Sequence, residues 1–125
     1  MWQAETFDPE TIQRELDWAA EIGMNSVRVF LHDLVGDADA AGLKSRVDTF
    51  LDLAWGVGIR KMFVLFDDCW FPPKAGLQPE PIPGGHNSRW AQSPGHHEAR
   101  DRTAWPRLEG YVQDVLSTFG QAERV

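Results

Sequence analysis

Cysteine is almost absent: Cys69 stands alone, which excludes an internal disulfide framework and a cysteine-rich zinc module. Basic charge is also in deficit. Twelve Lys and Arg face 19 Asp and Glu, for a net charge of −7. The chain therefore lacks the electrostatic footprint that a phosphate backbone or an anionic membrane surface attracts, and neither nucleic acid nor membrane is an expected partner. No apolar run approaches the ~20 residues of a membrane span. Met1-Trp2-Gln3-Ala4-Glu5 has neither the basic start nor the apolar centre of a signal peptide. The glycine-rich phosphate loops G-x-G-x-x-G and G-x-x-x-x-G-K-S/T are missing too, which argues against a nucleotide-binding α/β domain, and no cofactor is expected.

What is present, 125 residues that are 42% hydrophobic and 25% charged, suits one globular domain or part of one. Asp8 as cap, Pro9 in the first turn and Phe7 as a staple toward Ile12 announce a helix over 8–22. Ile12, Leu16, Ala19 and Ala20 line one face, and Gly23 ends it. The segment 25–31 is β-branched and nearly all apolar, as a parallel strand covered on both faces reads. A second helix, 39–55, carries Leu43, Val47, Phe50, Leu51 and Ala54 at helical spacing, with Gly56 and Gly58 after it. A second strand spans 59–66. Seven of the eight prolines fall between Pro72 and Pro106, so 67–103 reads as a long loop of the kind that is usually functional or partly disordered. A third helix follows over 105–119.

The order helix, strand, helix, strand, loop, helix predicts an α/β fold with two parallel strands and a crossover helix. The spacing of the strand centres, near Val29 and Val64, is about one βα unit of a (β/α)₈ barrel. Two strands are too few for three apolar-striped helices, so the expectation is a partial barrel whose partners include the missing remainder of the sheet.

Arg28 lies inside an otherwise apolar strand, where an unpaired charge is costly. Two readings stay open: a structural ion pair, for instance with Asp67, or an arginine that points into a site and orients a carboxylate. His32-Asp33 and Asp67-Asp68 directly follow the two strands, where α/β folds place ligand groups, although Asp in that position is also an ordinary turn or capping residue. Trp18 and Trp55 lie within helices and read as packing residues. Trp70 and Trp90, in the loop, suit either sugar rings or loop packing. His86, His96 and His97 match no metal-ligand spacing and read as solvated loop histidines, so no metal is expected. Cys69 reads as a small buried thiol.

Asn25-Ser26-Val27-Arg28-Val29, following Ile22-Gly23-Met24, resembles the "LGxNxVRI" segment of cellulase-type barrel glycoside hydrolases, family 5 of clan A. Gly58 to Asp67 is similar to the "GIxVxxxLxD" third strand of that family, and His86 to Gly95 resembles bacterial members labelled cellulase or 1,4-β-xylanase. The resemblance covers the family's first helix through its third. It implies a retaining hydrolase of a β-linked polysaccharide such as a β-1,4-glucan, xylan or mannan, with Arg28 hydrogen-bonding the nucleophile. It further implies His32, Asp33, Asp67, Asp68, Trp70, His86, Asn87 and Trp90 as sugar contacts. A secreted or periplasmic location suits such an enzyme at full length. The family's acid/base Glu, in Asn-Glu-Pro, and its nucleophilic Glu have no counterpart among these residues, and retaining hydrolysis needs both carboxylates about 5–5.5 Å apart. The chain alone is therefore expected to be inactive. The alternatives are a small non-catalytic carbohydrate-binding or interaction module and part of a metal-dependent barrel hydrolase.

Overall fold

Helix α1 (Pro9–Glu21) begins where Asp8 accepts hydrogen bonds from the amides of Glu10 and Thr11 at 3.1 and 3.2 Å. It ends at Gly23, whose φ of +86° lets Met24 N–H reach back to the Ala19 carbonyl, a closure that costs any side chain but glycine strain. The chain then forms β1 (Ser26–Phe30), a short α2 (Asp33–Ala38), the crossover helix α3 (Ala40–Gly56), β2 (Arg60–Val64), a one-turn α4 (His96–Arg100) and α5 (Trp105–Phe119). In this computed structural model, which describes residues 1–125, β1 and β2 are parallel, with Arg28 opposite Met62 and Phe30 opposite Val64. The chain is thus an α/β unit built on a two-stranded parallel sheet.

The sheet has two unlike faces. Val27, Val29 and Leu31 of the first strand, with Ile59, Phe63 and Leu65 of the second, pack into one core with Ile12 and Leu16 of α1, Val47, Leu51 and Ala54 of α3, and Tyr111, Val115 and Phe119 of α5. Because alternate residues of a strand point to opposite sides, Arg28, Phe30, Met62 and Val64 fall on the other face, which no helix covers. Met62 is 62% exposed there. The expectation of strands covered on both faces is corrected accordingly: 25–31 and 59–66 are buried on the helix side only.

Lys61 breaks the apolar pattern of the covered face. It is buried, lies over the Trp55 ring at 5.6 Å and points its ammonium toward the Leu51 carbonyl, 3.4 Å away. Desolvation, with Arg124 and Arg60 nearby, lowers its pKa. Trp18 and Trp55, expected to pack against neighbours, are 57% and 41% exposed. Their apolar faces are instead screened by cations, Arg14 over Trp18 and Arg60 over Trp55, as amphipathic rings on a surface permit.

The stretch 67–103 is more ordered than its composition implies. Asp67 and Ser93 exchange two backbone hydrogen bonds of 2.7 and 2.8 Å, and Phe71 pairs with Trp90 and Gln92. The outgoing and returning limbs therefore form a closed base. Gln3 ties the loop to the N-terminal segment by donating to the Gly76 carbonyl at 2.9 Å and accepting from Gln78 N–H at 3.1 Å. Trp2 is buried beside Phe50 and donates its indole N–H to the Phe30 carbonyl at 2.7 Å. The N-terminal segment thus covers the end of β1. No helix is long and apolar enough to cross a membrane.

Candidate functional site

The two strands end side by side, and Asp67 and Trp90, beyond those ends, meet the uncovered face of the sheet at Phe30. Arg28 is exposed on that face, with its guanidinium carbon 5.1 Å from the centre of the Phe30 ring. The ion pair with Asp67 or Asp68 is not made. Asp67 is turned instead toward the loop, where its Oδ2 accepts the indole N–H of Trp90 at 2.7 Å. Trp90 in turn sets its ring edge against Phe30, with centroids 4.9 Å apart at 81°. Arg28, Phe30, Trp90 and Asp67 form one connected row across the strand ends. Water and an aromatic face replace the acid that Arg28 was expected to meet, which costs little because the group stays solvated.

A second group lies further out in the loop. Trp70, 54% exposed with φ +74°, meets His86 edge to face at 5.9 Å. Asp68 pairs its Oδ2 with Nδ1 of His96, while its Oδ1 is buried without a hydrogen-bond partner. Asn87, at φ +49°, turns the chain and offers its carbonyl to Trp90 N–H at 3.1 Å. Its backbone therefore positions Trp90. Cys69 is exposed, a correction to the buried thiol read from sequence.

His32 and Asp33 are held in contacts of their own. Asp33 is fully buried. It accepts from Ser93 Oγ at 2.6 Å and from Arg107 Nη1 at 2.9 Å, while its own amide donates to Ser93 Oγ at 3.1 Å. Arg107 also meets Asp37 and Glu98. This carboxylate therefore fastens the returning loop to α2 and α5, and no ligand reaches it. His32 caps α2 by accepting Leu34 N–H on Nδ1 at 3.3 Å. Burial outweighs the neighbouring Asp33 carboxylate and holds its pKa below the ordinary 6.5. Since the folded state resists the proton that the unfolded chain takes up, stability is expected to fall as the pH drops below about 6.5. Urea midpoints measured across pH 5–7 check this, and a His32→Gln variant should flatten the slope.

Arg107 and Ser93 were not foreseen. Arg107 sits 74 residues from Asp33, and nothing local marks an arginine in the first turns of a helix as the partner of a strand-end carboxylate. No group of three or more His, Cys, Asp or Glu side chains is arranged to hold a metal ion.

The Cys69 thiol is pushed up by a hydrogen bond and negative charge from Asp67, with a smaller contribution from Asp68. A raised pKa means less thiolate at neutral pH and slower alkylation. Iodoacetamide is expected to label Cys69 more slowly than a free cysteine peptide at pH 8. Asp67→Asn should speed that labelling severalfold.

No family model matches the chain, and no curated protein or solved structure matches it either. What stands is the geometry: an α/β unit with a parallel strand pair, an arginine without an ion-pair partner on the uncovered face, and half-buried aromatic and acidic side chains grouped at the strand ends.

Proposed function

We propose that the chain is the N-terminal part of a (β/α)₈-barrel retaining glycoside hydrolase that acts on a β-linked polysaccharide. The observation that carries this reading is the row Arg28, Phe30, Trp90 and Asp67 at the C-terminal ends of two parallel strands, where barrel enzymes build their sites. An indole ring offers a sugar its flat apolar face, and a carboxylate accepts from hydroxyls. Trp70, His86 and Asp68 extend the same surface outward. Arg28 keeps its donors free for an incoming carboxylate, which fits the role of orienting a nucleophile supplied from another strand. The uncovered sheet face, with Met62 exposed on it, fits a barrel interior awaiting the facing strands.

The residues of this chain bind and orient; the two carboxylates that protonate the leaving oxygen and attack the anomeric carbon belong to other strands. The chain alone should therefore turn over an aryl β-glycoside no faster than buffer. Tryptophan emission should change saturably with one of cellotetraose, xylotetraose or mannotetraose in the millimolar range, the strength expected of a few sugar contacts. Trp70→Ala, at an exposed position, should weaken that response severalfold, and Trp90→Ala should abolish it. A flat titration with all three sugars, or one indifferent to both substitutions, would overturn the proposal.

A further inference from the structure

The two edges of the sheet differ. Arg60 N–H bonds to the Asn25 carbonyl at 2.8 Å and Leu31 N–H to the Val64 carbonyl at 2.9 Å, which fixes residues 60, 62 and 64 as those whose backbone turns to β1. Lys61 and Phe63 therefore turn their N–H and C=O groups outward, where no strand lies. On β1 the outward residues are Ser26, Arg28 and Phe30, and the Phe30 carbonyl already accepts the Trp2 indole N–H at 2.7 Å. The N-terminal segment thus stands in the way of a strand at that edge. Along β2 the only side chain on an outward backbone group is the Tyr111 hydroxyl, 3.4 Å from the Leu65 carbonyl just past the strand.

The open edge is complementary to its own reverse. Arg60-Lys61 precedes five apolar residues, Met62 to Phe66, and Asp67-Asp68 follows them. Two copies running antiparallel bring the cations of each to the acidic end of the other with the apolar residues between, and opposite charges on neighbouring strands are favourable. The first strand lacks this property, because β1 reversed on itself sets Arg28 against a second Arg28. Helix α5 continues the surface. It lies along β2, with Phe119 against Phe63 and Tyr111 against Phe66, and turns Arg107, Gly110 and Asp114 toward α3. By helical period Val112 and Leu116 fall on the opposite flank, the side of the open edge. Leu116 is 54% exposed there.

We propose that β2 pairs edge to edge and antiparallel with β2 of a second copy, giving a two-fold dimer around one four-stranded sheet, with Phe63 at the axis and Leu116 meeting its counterpart beneath it. The assembly is closed: pairing consumes the free edge of both copies and leaves outside only the β1 edges, where Trp2 stands. An edge this short buries little surface, so a dissociation constant on the order of 100 μM is expected. The inference concerns the chain by itself and does not rest on the sugar reading, since Arg28, Phe30 and Trp90 lie on the open face and stay free in the dimer. In a longer protein whose sheet continues past β2, the next strand takes this edge and the copies stay apart.

Sedimentation equilibrium from about 5 μM to about 1 mM should show monomer and dimer and nothing larger. Amides of 60–66 and 112–119 should shift with concentration over the same range. Lys61→Pro removes an outward N–H and leaves the bonds to β1 intact, while Leu116→Glu, at an exposed helix position, tests the same interface without touching the sheet. Each should weaken the dimer at least about tenfold. Arg60→Glu, which sets an acid against Asp67 and Asp68 of the other copy, should weaken it severalfold, and Leu77→Glu, in the exposed loop, should leave it unchanged. The proposal fails on a chain that stays monomeric at the upper concentration, on a series of ever larger species, or on a dimer indifferent to both Leu116→Glu and Arg60→Glu. Running the sugar titration at about 5 μM chain, well below the expected dissociation constant, keeps the two tests separate.

Discussion

Asp33→Ala should destabilise the chain by about 2–4 kcal/mol, one of the two largest losses expected of a single substitution here. Removing one partner from a buried charge pair costs about 3–5 kcal/mol when the other is left stranded. Arg107 is not fully stranded, because Asp37 and Glu98 still hold it and about a third of its side chain reaches water, which trims the cost. Against that, Ser93 loses the acceptor of its hydroxyl at 2.6 Å inside a buried pocket, and an unmet polar group there costs about 1–3 kcal/mol. Asp37→Ala removes a carboxylate from the same arginine at an exposed position and should cost under about 1 kcal/mol. Urea unfolding of the two variants checks the contrast. Amide exchange should quicken at residues 91–95 in the first variant only, because Ser93 is where the returning limb of the loop meets the sheet. Equal losses in the two variants would mean that Asp33 is one surface carboxylate among several.

How much of this was legible in the sequence depended on whether the responsible interaction was local. The start of α1 was readable because Asp8, Pro9 and Glu10 act on the backbone within three residues of themselves. The end of that helix was readable because Gly23 alone tolerates its φ of +86°. The two strands were readable as β-branched apolar runs, while the face each residue takes came from the structure, which sets Val27, Val29 and Leu31 toward the helices and Arg28 with Phe30 away from them. The six-residue α2 was not readable: Asp33-Leu34-Val35-Gly36-Asp37-Ala38 carries a helix-weakening glycine, and what holds it is the burial of Asp33 against residues 60 and 74 positions away. The same distance hid the loop closure through Ser93. Asp33 and Asp67 look alike in sequence, an acid directly after a strand. Their fates differ because a serine and an arginine from later in the chain surround one, and a tryptophan edge meets the other.

Leu51→Ala is expected to cost about 3–5 kcal/mol, while Met62→Ala, one strand away, should change stability by no more than about 0.5 kcal/mol. Leu51 has no exposed surface and lies on α3 directly beneath β2. Truncating it removes transfer energy and leaves a cavity between elements that cannot close up without moving the strand, the situation in which Leu→Ala losses run to several kcal/mol. The chain has a single core, on the helix side of a two-stranded sheet, so no second layer compensates. Met62 points to the other face and is 62% exposed, and truncating its thioether costs little because water already surrounds most of it. Chemical denaturation of both variants reads the difference directly. The pair also reports on the proposed barrel: when facing strands cover the sheet, Met62 becomes an interior residue and its truncation rises toward the cost of a core methionine, about 2–5 kcal/mol, while the Leu51 value stays where it is. A small Met62 loss in the chain alone and a large one in a longer protein containing it would locate the barrel interior on the Arg28 face. A small loss in both would leave that face open to solvent and remove the structural support for a closed barrel.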